Sequence, residues 1–329
     1  MKAAVIGTGA WGTALAQVLA DNGHSVTLLS RRAEEVEDIN CRGRNSRYFG
    51  DAPISRQLHA TQELSEMPRG ADILLIAVPS HAFPSMYGTF RALVAESTLV
   101  VNAAKGFEPE TGKRLSVALA DALAGVSHRG IASLIGPSHA EEVILRMLTS
   151  VAAVAEDAEV AAVVARAFSN DYFRVYTNTD TVGAELGVAL KNVIALGSGM
   201  LVGQGYGDNA KAALITRGLA EMVRFGVASG GRRETFSGLA GVGDLIVTCF
   251  SPHSRNYRAG VAIGRADSGK ALSTEETVEG VGSCRAIYEA AKALSIPMPI
   301  TEAVYSVLFL GERPSDAIRR LMQRPLRSE

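Results

Sequence analysis

Cysteine is scarce in this chain. The three cysteines, Cys41, Cys249 and Cys284, are odd in number and lie far apart, unlike a disulfide framework or the CxxC spacing of a zinc site. We therefore expect neither a disulfide scaffold nor a bound metal. The same usage fits a reducing, cytoplasmic compartment.

An excess of charge of one sign is also lacking. The 33 Lys and Arg residues nearly balance the 34 Asp and Glu residues, so the formal net charge is −1, and there is no basic block. This balance does not favour a nucleic acid or an anionic membrane surface as a partner. A small molecule is the expected substrate.

Long uninterrupted apolar runs are missing too. The apolar start MKAAVIGTGAWGTALAQVLA could pass for a signal peptide, but Gly7, Gly9 and Gly12 interrupt it at a regular spacing. Elsewhere we find no run of about 18 uncharged apolar residues, the length that a membrane span needs. Stable membrane insertion is therefore not expected.

The first half of the sequence alternates short apolar runs, rich in β-branched residues, with helical patterns. These runs are at 2–6, 25–29, 73–78, 97–101, 131–135, 150–155 and 172–176. Apolar strands separated by helices are typical of a doubly wound parallel sheet. From about residue 180 the periodicity is helical. We predict an α/β Rossmann domain at 1–182 and an all-helical C-terminal domain at 183–329, with a homodimer as one expectation for such a helical domain.

The motif GTGAWG follows the first predicted strand and opens a helix. In that context GxGxxG is typical of a dinucleotide site: Gly7 allows a tight turn, Gly9 lets the backbone approach the pyrophosphate, and Gly12 permits close helix–strand packing. After the second strand, Arg31 and Arg32 stand where an NAD site has Asp or Glu. Two guanidinium groups suit a 2′-phosphate, so NADP is favoured over NAD.

Polar residues follow two more predicted strands, at the sheet edge where doubly wound folds bind ligands. Lys105 lies in NAAKG, and Gly136 and Ser138 lie in GPSHAEE. Taken alone, a lysine after a strand is more typical of an ordinary loop. GPS before a helix is likewise more typical of a capping turn, with Ser138 as the N-cap.

In the helical domain, Ser254, Arg255 and Asn256 stand at a predicted helix start. Free backbone N–H groups, the positive end of the helix dipole and an arginine fork suit an anion there, but a serine-capped surface helix has the same pattern. Asp244, among glycines and apolar residues in GLAGVGDLIV, is either buried with a function or a turn former.

The segment GVALKNVIALGSG places Lys191 and Asn192 in an otherwise apolar helix. Small residues at 183, 187, 195 and 198 lie near the face of the lysine and leave room for a ligand. A lysine that snorkels to the surface, or pairs with Glu185, is the simpler interpretation. The functional alternative is a general acid or base, because desolvation and neighbouring cations lower a lysine's pKa, with Asn192 orienting the substrate.

Several of these segments together resemble one enzyme family. The chain is similar, nearly end to end, to bacterial NAD(P)-dependent glycerol-3-phosphate dehydrogenases in GTGAWGTA, NAAKG, GPSHAEEV, GVALKNVIALGSGM, GYGDNAKAALITRGLAEM, SGLAGVGDLIVTC, SRNYRAG and VEG. The resemblance implies interconversion of sn-glycerol 3-phosphate and dihydroxyacetone phosphate with NADP or NAD. Such a step feeds glycerophospholipid synthesis.

The resemblance also implies roles for individual residues. Lys191 matches the proton-transferring lysine, Lys105 a lysine that polarises the carbonyl, and Asp244 a catalytic-site aspartate that contacts the substrate. The implied substrate contacts are Lys105, Gly136, Ser138, Lys191, Asn192, Asp244, Ser254, Arg255 and Asn256. The implied cofactor contacts are Gly7, Gly9, Trp11, Gly12, Arg31, Arg32, Lys105, Ala140, Arg255 and Glu279.

Related two-domain dehydrogenases of hydroxy compounds use parts of the same pattern. A 3-hydroxyacyl-CoA type needs a His/Glu pair in the second domain, and the sequence around His253 does not indicate one. A 6-phosphogluconate type spaces its Lys and Asn more widely than the adjacent Lys191 and Asn192. A non-catalytic NADPH-binding sensor would keep the glycine motif and the arginines, but it has no reason to retain the lysines.

Overall fold

The computed structural model describes residues 1–271 and 278–325, and the chain divides into two compact units, Met1–Thr181 and Val182–Glu329. The strands of the first unit are β1 (Lys2–Ile6), β2 (Ser25–Leu29), β3 (Leu58–Thr61), β4 (Ile73–Ile76), β5 (Leu99–Asn102), β6 (Gly130–Ile135), β7 (Thr149–Val154) and β8 (Phe173–Asn178). Within the described residues they form one eight-stranded sheet in the order β3-β2-β1-β4-β5-β6-β7-β8.

Helices cover both faces of this sheet. They are α1 (Ala10–Asp21), α2 (Ala33–Glu37), α3 (Ser46–Phe49), α4 (Phe83–Leu93), α5 (Leu115–Ala122), α6 (Ala140–Val143) and α7 (Ala158–Phe168). Alternate residues of β1 enter opposite cores: Ala3 and Val5 pack in one cluster, and Ala4 and Ile6 in the other. A strand buried on both faces must be apolar throughout, which explains why the sequence shows continuous apolar runs.

The sheet departs from the prediction in two places. β7 runs antiparallel to β6, whereas the sequence pattern predicts an all-parallel sheet. The helix between these strands, α6, has only 4 residues, too few to carry the chain back across the sheet face, so β7 starts from the edge where β6 ends. The pattern also misses β3, because its sequence LHAT is short and half polar. The doubly wound α/β architecture itself is confirmed, and the sheet is mostly parallel.

The second unit is helical over its described residues. Its helices are α8 (Thr181–Gly203, which begins at the unit boundary), α9 (Asp208–Ala228), α10 (Arg233–Phe236), α11 (Asp244–Phe250), α12 (Arg255–Ala266), α13 (Glu279–Ala293), α14 (Pro299–Phe309) and α15 (Pro314–Met322). Among the described residues, α8 alone is long and apolar enough to span a membrane, and 89% of its apolar window is buried inside the protein. It is a core helix around which the unit is built.

Glycines bring α8 and α12 into backbone contact. A Cβ atom on Gly199 would overlap with the carbonyl oxygen of Tyr257, and one on Gly260 would overlap with that of Leu196. No side chain therefore separates the two helices at the crossing. This contact fixes the first turn of α12 against the helix that carries Lys191.

Candidate active site

The glycine turn after β1 has the geometry of a dinucleotide site. Gly7 has a φ of +109°, and a Cβ there would lie 2.7 Å from the carbonyl oxygen of Ala77, so only glycine fits. Gly12 packs against Gly7, which brings α1 close to the strand end. Above Gly9, in contrast, a Cβ would meet nothing within 4 Å. The backbone is thus open at the point where a pyrophosphate would approach it.

Two buried polar atoms beside this turn lack hydrogen-bond partners among the described residues. They are the indole Nε1 of Trp11 and the amide Oδ1 of Asn45. The amide nitrogen of Asn45 donates to the Thr8 carbonyl and to the Thr13 hydroxyl, both at 2.9 Å, and so fixes the turn. Open backbone and unpaired polar atoms around a helix start fit a dinucleotide.

Basic residues gather at the carboxyl end of β2, together with one carboxylate. Arg31 is exposed. The Nε of Arg32 lies 3.5 Å and the Nε of Arg47 3.8 Å from Oε1 of Glu35, whose side chain is only 6% exposed. The sequence interpretation included Arg31 and Arg32 but missed Glu35 and Arg47. Nothing in the local pattern indicates that α2 and α3 bring these two residues together.

The neighbouring strands β5 and β6 carry the other predicted residues of this unit. Lys105 follows the end of β5, and Gly136 directly follows β6, at the same edge of the sheet because the two strands are parallel. The hydroxyl of Ser138 donates to the Gly136 carbonyl at 3.0 Å. α6 begins at Ala140 with His139 as its cap, so the alternative of Ser138 as N-cap is wrong.

In the second unit, Lys191 is buried with its charge paired. Its side chain is 2% exposed, and its ammonium forms an ion pair with the carboxylate of Asp244, which is 1% exposed. The ammonium also donates to the hydroxyl of Thr248 at 3.1 Å, and that hydroxyl donates to the carbonyl oxygen of Asp244 at 2.6 Å. Lys191 therefore does not snorkel to the surface. Asp244 opens α11 and is buried, so it is not an exposed turn former, and its function stays a prediction.

Thr248 is a contact that the sequence interpretation missed. It stands one helical turn after Asp244 in GVGDLIVTC, so that both side chains lie on the same face of α11. That spacing was the available signal, but a threonine in an apolar helix is usually a packing residue.

The residue after Lys191 leads to a second polar group. The amide nitrogen of Asn192 donates to Oε2 of Glu279 at 3.5 Å, and Oε1 of the same carboxylate lies 3.7 Å from Nη2 of Arg255. Arg255 is half exposed, whereas Asn192 is buried. Glu279 thus links the buried amide to an arginine whose other donors are available to an anion.

Two side chains at the start of α12 form capping hydrogen bonds, one to α12 itself and one to the first turn of α13. The hydroxyl of Ser254 accepts the backbone N–H of Tyr257 at 3.2 Å, and Oδ1 of Asn256 accepts the N–H of Gly280 at 2.9 Å. Ser254 is therefore an N-cap, as the simpler interpretation held. Arg255 is the first residue of α12, so a positive charge and the positive end of the helix dipole occur at the same helix end, which suits an anionic group.

A dinucleotide turn in the first unit and a buried, ion-paired lysine in the second are features of a nicotinamide-dependent dehydrogenase with a Rossmann domain. Residues 2–161 match the model of the NAD-dependent glycerol-3-phosphate dehydrogenase N-terminus, and residues 180–319 match that of its C-terminus. The chain belongs to this family.

Individual proteins agree with the family models. The chain is 48% identical to a glycerol-3-phosphate dehydrogenase (NAD(P)+) of an Exiguobacterium species, covering 99% of this chain and 96% of the relative. It is 46% identical to the enzyme of that name from Streptococcus agalactiae, covering 100% and 98%. The crystal structure of glycerol-3-phosphate dehydrogenase from Coxiella burnetii is similar with a TM-score of 0.90 and 34% identity, over 98% of this chain and 99% of that one.

These findings confirm the resemblance, the NAD(P) dependence and the predicted class of activity, an NAD(P)-dependent glycerol-3-phosphate dehydrogenase. The sensor and the other hydroxy-compound dehydrogenases receive no comparable support.

Proposed function

We propose that the chain interconverts sn-glycerol 3-phosphate and dihydroxyacetone phosphate, with Lys191 as the group that moves the proton. The observation that carries this proposal is the burial of Lys191 against Asp244 and Thr248. Burying an ion pair costs desolvation energy, and two apolar side chains at the same positions would often make the fold as stable. A buried Lys–Asp pair is therefore better explained by a catalytic role than by stability.

Different residues of the second unit serve proton transfer and substrate binding. In the reducing direction Lys191 donates a proton to the oxygen that becomes the hydroxyl, and in the oxidising direction neutral Lys191 removes it. Asp244 and Thr248 hold the lysine nitrogen in place. Arg255 and the first turn of α12, with Ser254 and Asn256, bind the phosphate.

The first unit contributes most of the proposed cofactor-binding residues and the remaining substrate contacts. The reduced nicotinamide, when bound, supplies the hydride. We propose that Lys105 polarises the substrate carbonyl and that Gly136 and Ser138 contact the substrate. The proposed cofactor contacts are Gly7, Gly9, Trp11, Gly12, Arg31, Arg32, Lys105 and Ala140, with Arg255 and Glu279 from the second unit.

We also propose a cytoplasmic location, a homodimer, and a contribution to glycerophospholipid synthesis. The cysteines support the location: Cys41, Cys249 and Cys284 are free thiols. Burial raises the pKa of Cys249 to about 12, so this thiol is unreactive.

The Lys191→Met variant tests the catalytic proposal. General acid–base catalysis contributes a factor of about 10² to 10⁴, so kcat with dihydroxyacetone phosphate should fall by that factor while NADPH binding is retained. Oxidation of NADPH is followed by absorbance of the reduced nicotinamide. Lys292→Met, which removes an exposed lysine from α13, is the control and should keep wild-type turnover. A Lys191→Met enzyme with most of its turnover would exclude this lysine as the acid–base group.

A further inference from the structure

A buried carboxylate lies beneath the cofactor site of the first unit without an assigned role. Oε2 of Glu35 accepts a hydrogen bond from the hydroxyl of Ser30 at 2.9 Å and another, a short one, from the hydroxyl of Thr8. Thr8 is the residue between Gly7 and Gly9, and Ser30 directly follows β2. The end of β2 is where this fold meets the adenosine ribose. Glu35 therefore lies at the end of the sheet where a dinucleotide site distinguishes NADP from NAD.

The hydroxyl oxygens of Thr8 and Ser30 also lie 2.8 Å from each other, so their two protons are held within this buried cluster with Glu35. A hydroxyl has one proton and two lone pairs, and a carboxylate can only accept. With these protons held in the cluster, Thr8 and Ser30 have none to donate to a ligand. The 2′-phosphate of NADP needs donors, whereas the 2′-hydroxyl of NAD can itself donate.

The same carboxylate offsets the nearby arginines. Its Oε1 has no hydrogen-bond partner among the described residues, so Arg32 and Arg47 interact with it by charge, through Nε atoms 3.5 and 3.8 Å away. Both guanidinium groups are about half exposed and keep donors for a phosphate. The negative charge of Glu35 nevertheless cancels part of the positive potential that a 2′-phosphate would meet.

We infer that Glu35 determines cofactor specificity. Its negative charge offsets Arg32 and Arg47, which favour NADPH, so that NADH can also bind. The inference rests on the proposed cofactor site at the end of β2. Neutral glutamine in its place can donate to the hydroxyl cluster, which releases a hydroxyl proton for a phosphate. Its amide also removes the negative charge facing Arg32 and Arg47.

The test measures kcat/KM for NADPH and for NADH, each with dihydroxyacetone phosphate, in the wild type and in Glu35→Gln. The ratio of the two values should rise about tenfold in favour of NADPH, through KM, with kcat at saturating cofactor retained. Because the ratio is taken within one preparation, partial unfolding does not mimic the effect. Glu34→Gln is the matched control: it neutralises the exposed neighbour on α2 and should leave the ratio unchanged.

Two results would overturn the inference. A ratio within twofold of the wild type means that Glu35 does not act on specificity, and a shift towards NADH means that it serves to hold the arginines for the phosphate. If Glu35→Gln does not fold, Glu35→Leu removes the same charge with an apolar side chain suited to a buried site, and the same ratio decides. A separate experiment tests the proposed cofactor site itself. If that site is wrong, replacement of Arg31 and Arg32 by Gln weakens the binding of NADPH and NADH equally.

Discussion

At the scale of single residues, the position of the Lys191 nitrogen depends on two acceptors one helical turn apart on α11. Asp244 supplies a charge, and Thr248 supplies a directed lone pair whose orientation is set by its own bond to the Asp244 carbonyl. A charge alone attracts an ammonium group from any side, whereas the hydroxyl adds a direction. Proton transfer requires that direction because its efficiency depends on heavy-atom geometry.

We expect Thr248→Val to lower kcat about tenfold with little change in KM for either cofactor. Valine keeps the shape of threonine and removes the acceptor, and one hydrogen bond to a charged group contributes about 1.5 to 3 kcal/mol. Steady-state kinetics in the reducing direction measure the split between kcat and KM.

The conservative variant separates positioning from packing. Thr248→Ser loses a methyl group but keeps the hydroxyl, so its kcat should remain close to that of the wild type. If Ser lowers kcat as much as Val does, the methyl contact and not the hydrogen bond explains the loss, and Thr248 has no positioning role.

At the scale of elements, the crossing of α8 and α12 connects stability to the phosphate end of the site. The contact repeats one turn further along, where Gly203 and Gly264 again have no room for a Cβ. Two glycine pairs, one helical turn apart, let the backbones of α8 and α12 approach closely. The first turn of α12, with Arg255, is thereby fixed relative to Lys191 on α8.

We expect Gly199→Ala to destabilise the protein by about 2 kcal/mol, because the new methyl group overlaps with backbone atoms of α12 that cannot move aside. On an open helix the same change stabilises by up to about 1 kcal/mol. The sign of the change therefore reports the packing. Thermal unfolding followed by circular dichroism measures it.

Gly282→Ala is the matched control for this prediction. Gly282 lies in α13 of the same unit and is exposed, and a Cβ atom on it would meet nothing within 4 Å. It should gain stability or stay neutral. A Gly199→Ala protein that melts at or above the wild-type temperature would show that the two helices can separate without cost.

At the scale of the whole molecule, the sequence predicts strands and helices that have a periodic apolar pattern. It does not predict contacts between residues that are distant along the chain. Apolar runs gave seven of the strands because a sheet covered on both faces demands them. β3 and the direction of β7 depend on chain reach and on neighbouring elements. In the same way Lys191 stood out as a charge in an apolar helix, whereas Glu35 and Thr248 acquire their partners only in the folded chain.

A buried carboxylate in the second unit makes global stability depend on pH. Glu221, on α9, accepts the backbone N–H groups of Ile300 and Thr301 at 2.6 and 3.2 Å and the Thr301 hydroxyl at 3.1 Å, and so caps the start of α14. Burial raises the pKa of Glu221 from 4.5 to about 7, against these three donors, which lower it. The folded state therefore binds a proton at Glu221 more tightly than the unfolded state does.

The sign of the resulting pH dependence follows from linkage. Between pH 4.5 and about 7 the folded protein keeps this proton while the unfolded chain loses it, so the free energy of unfolding falls as pH rises through this window and levels off above it. The fall should be about 3 kcal/mol. Urea unfolding at several pH values, in the wild type and in Glu221→Gln, measures it, because the difference between the two curves removes the contribution of all other groups. A difference that instead grows with pH would mean that the three donors outweigh burial and that Glu221 caps α14 as an ionised carboxylate.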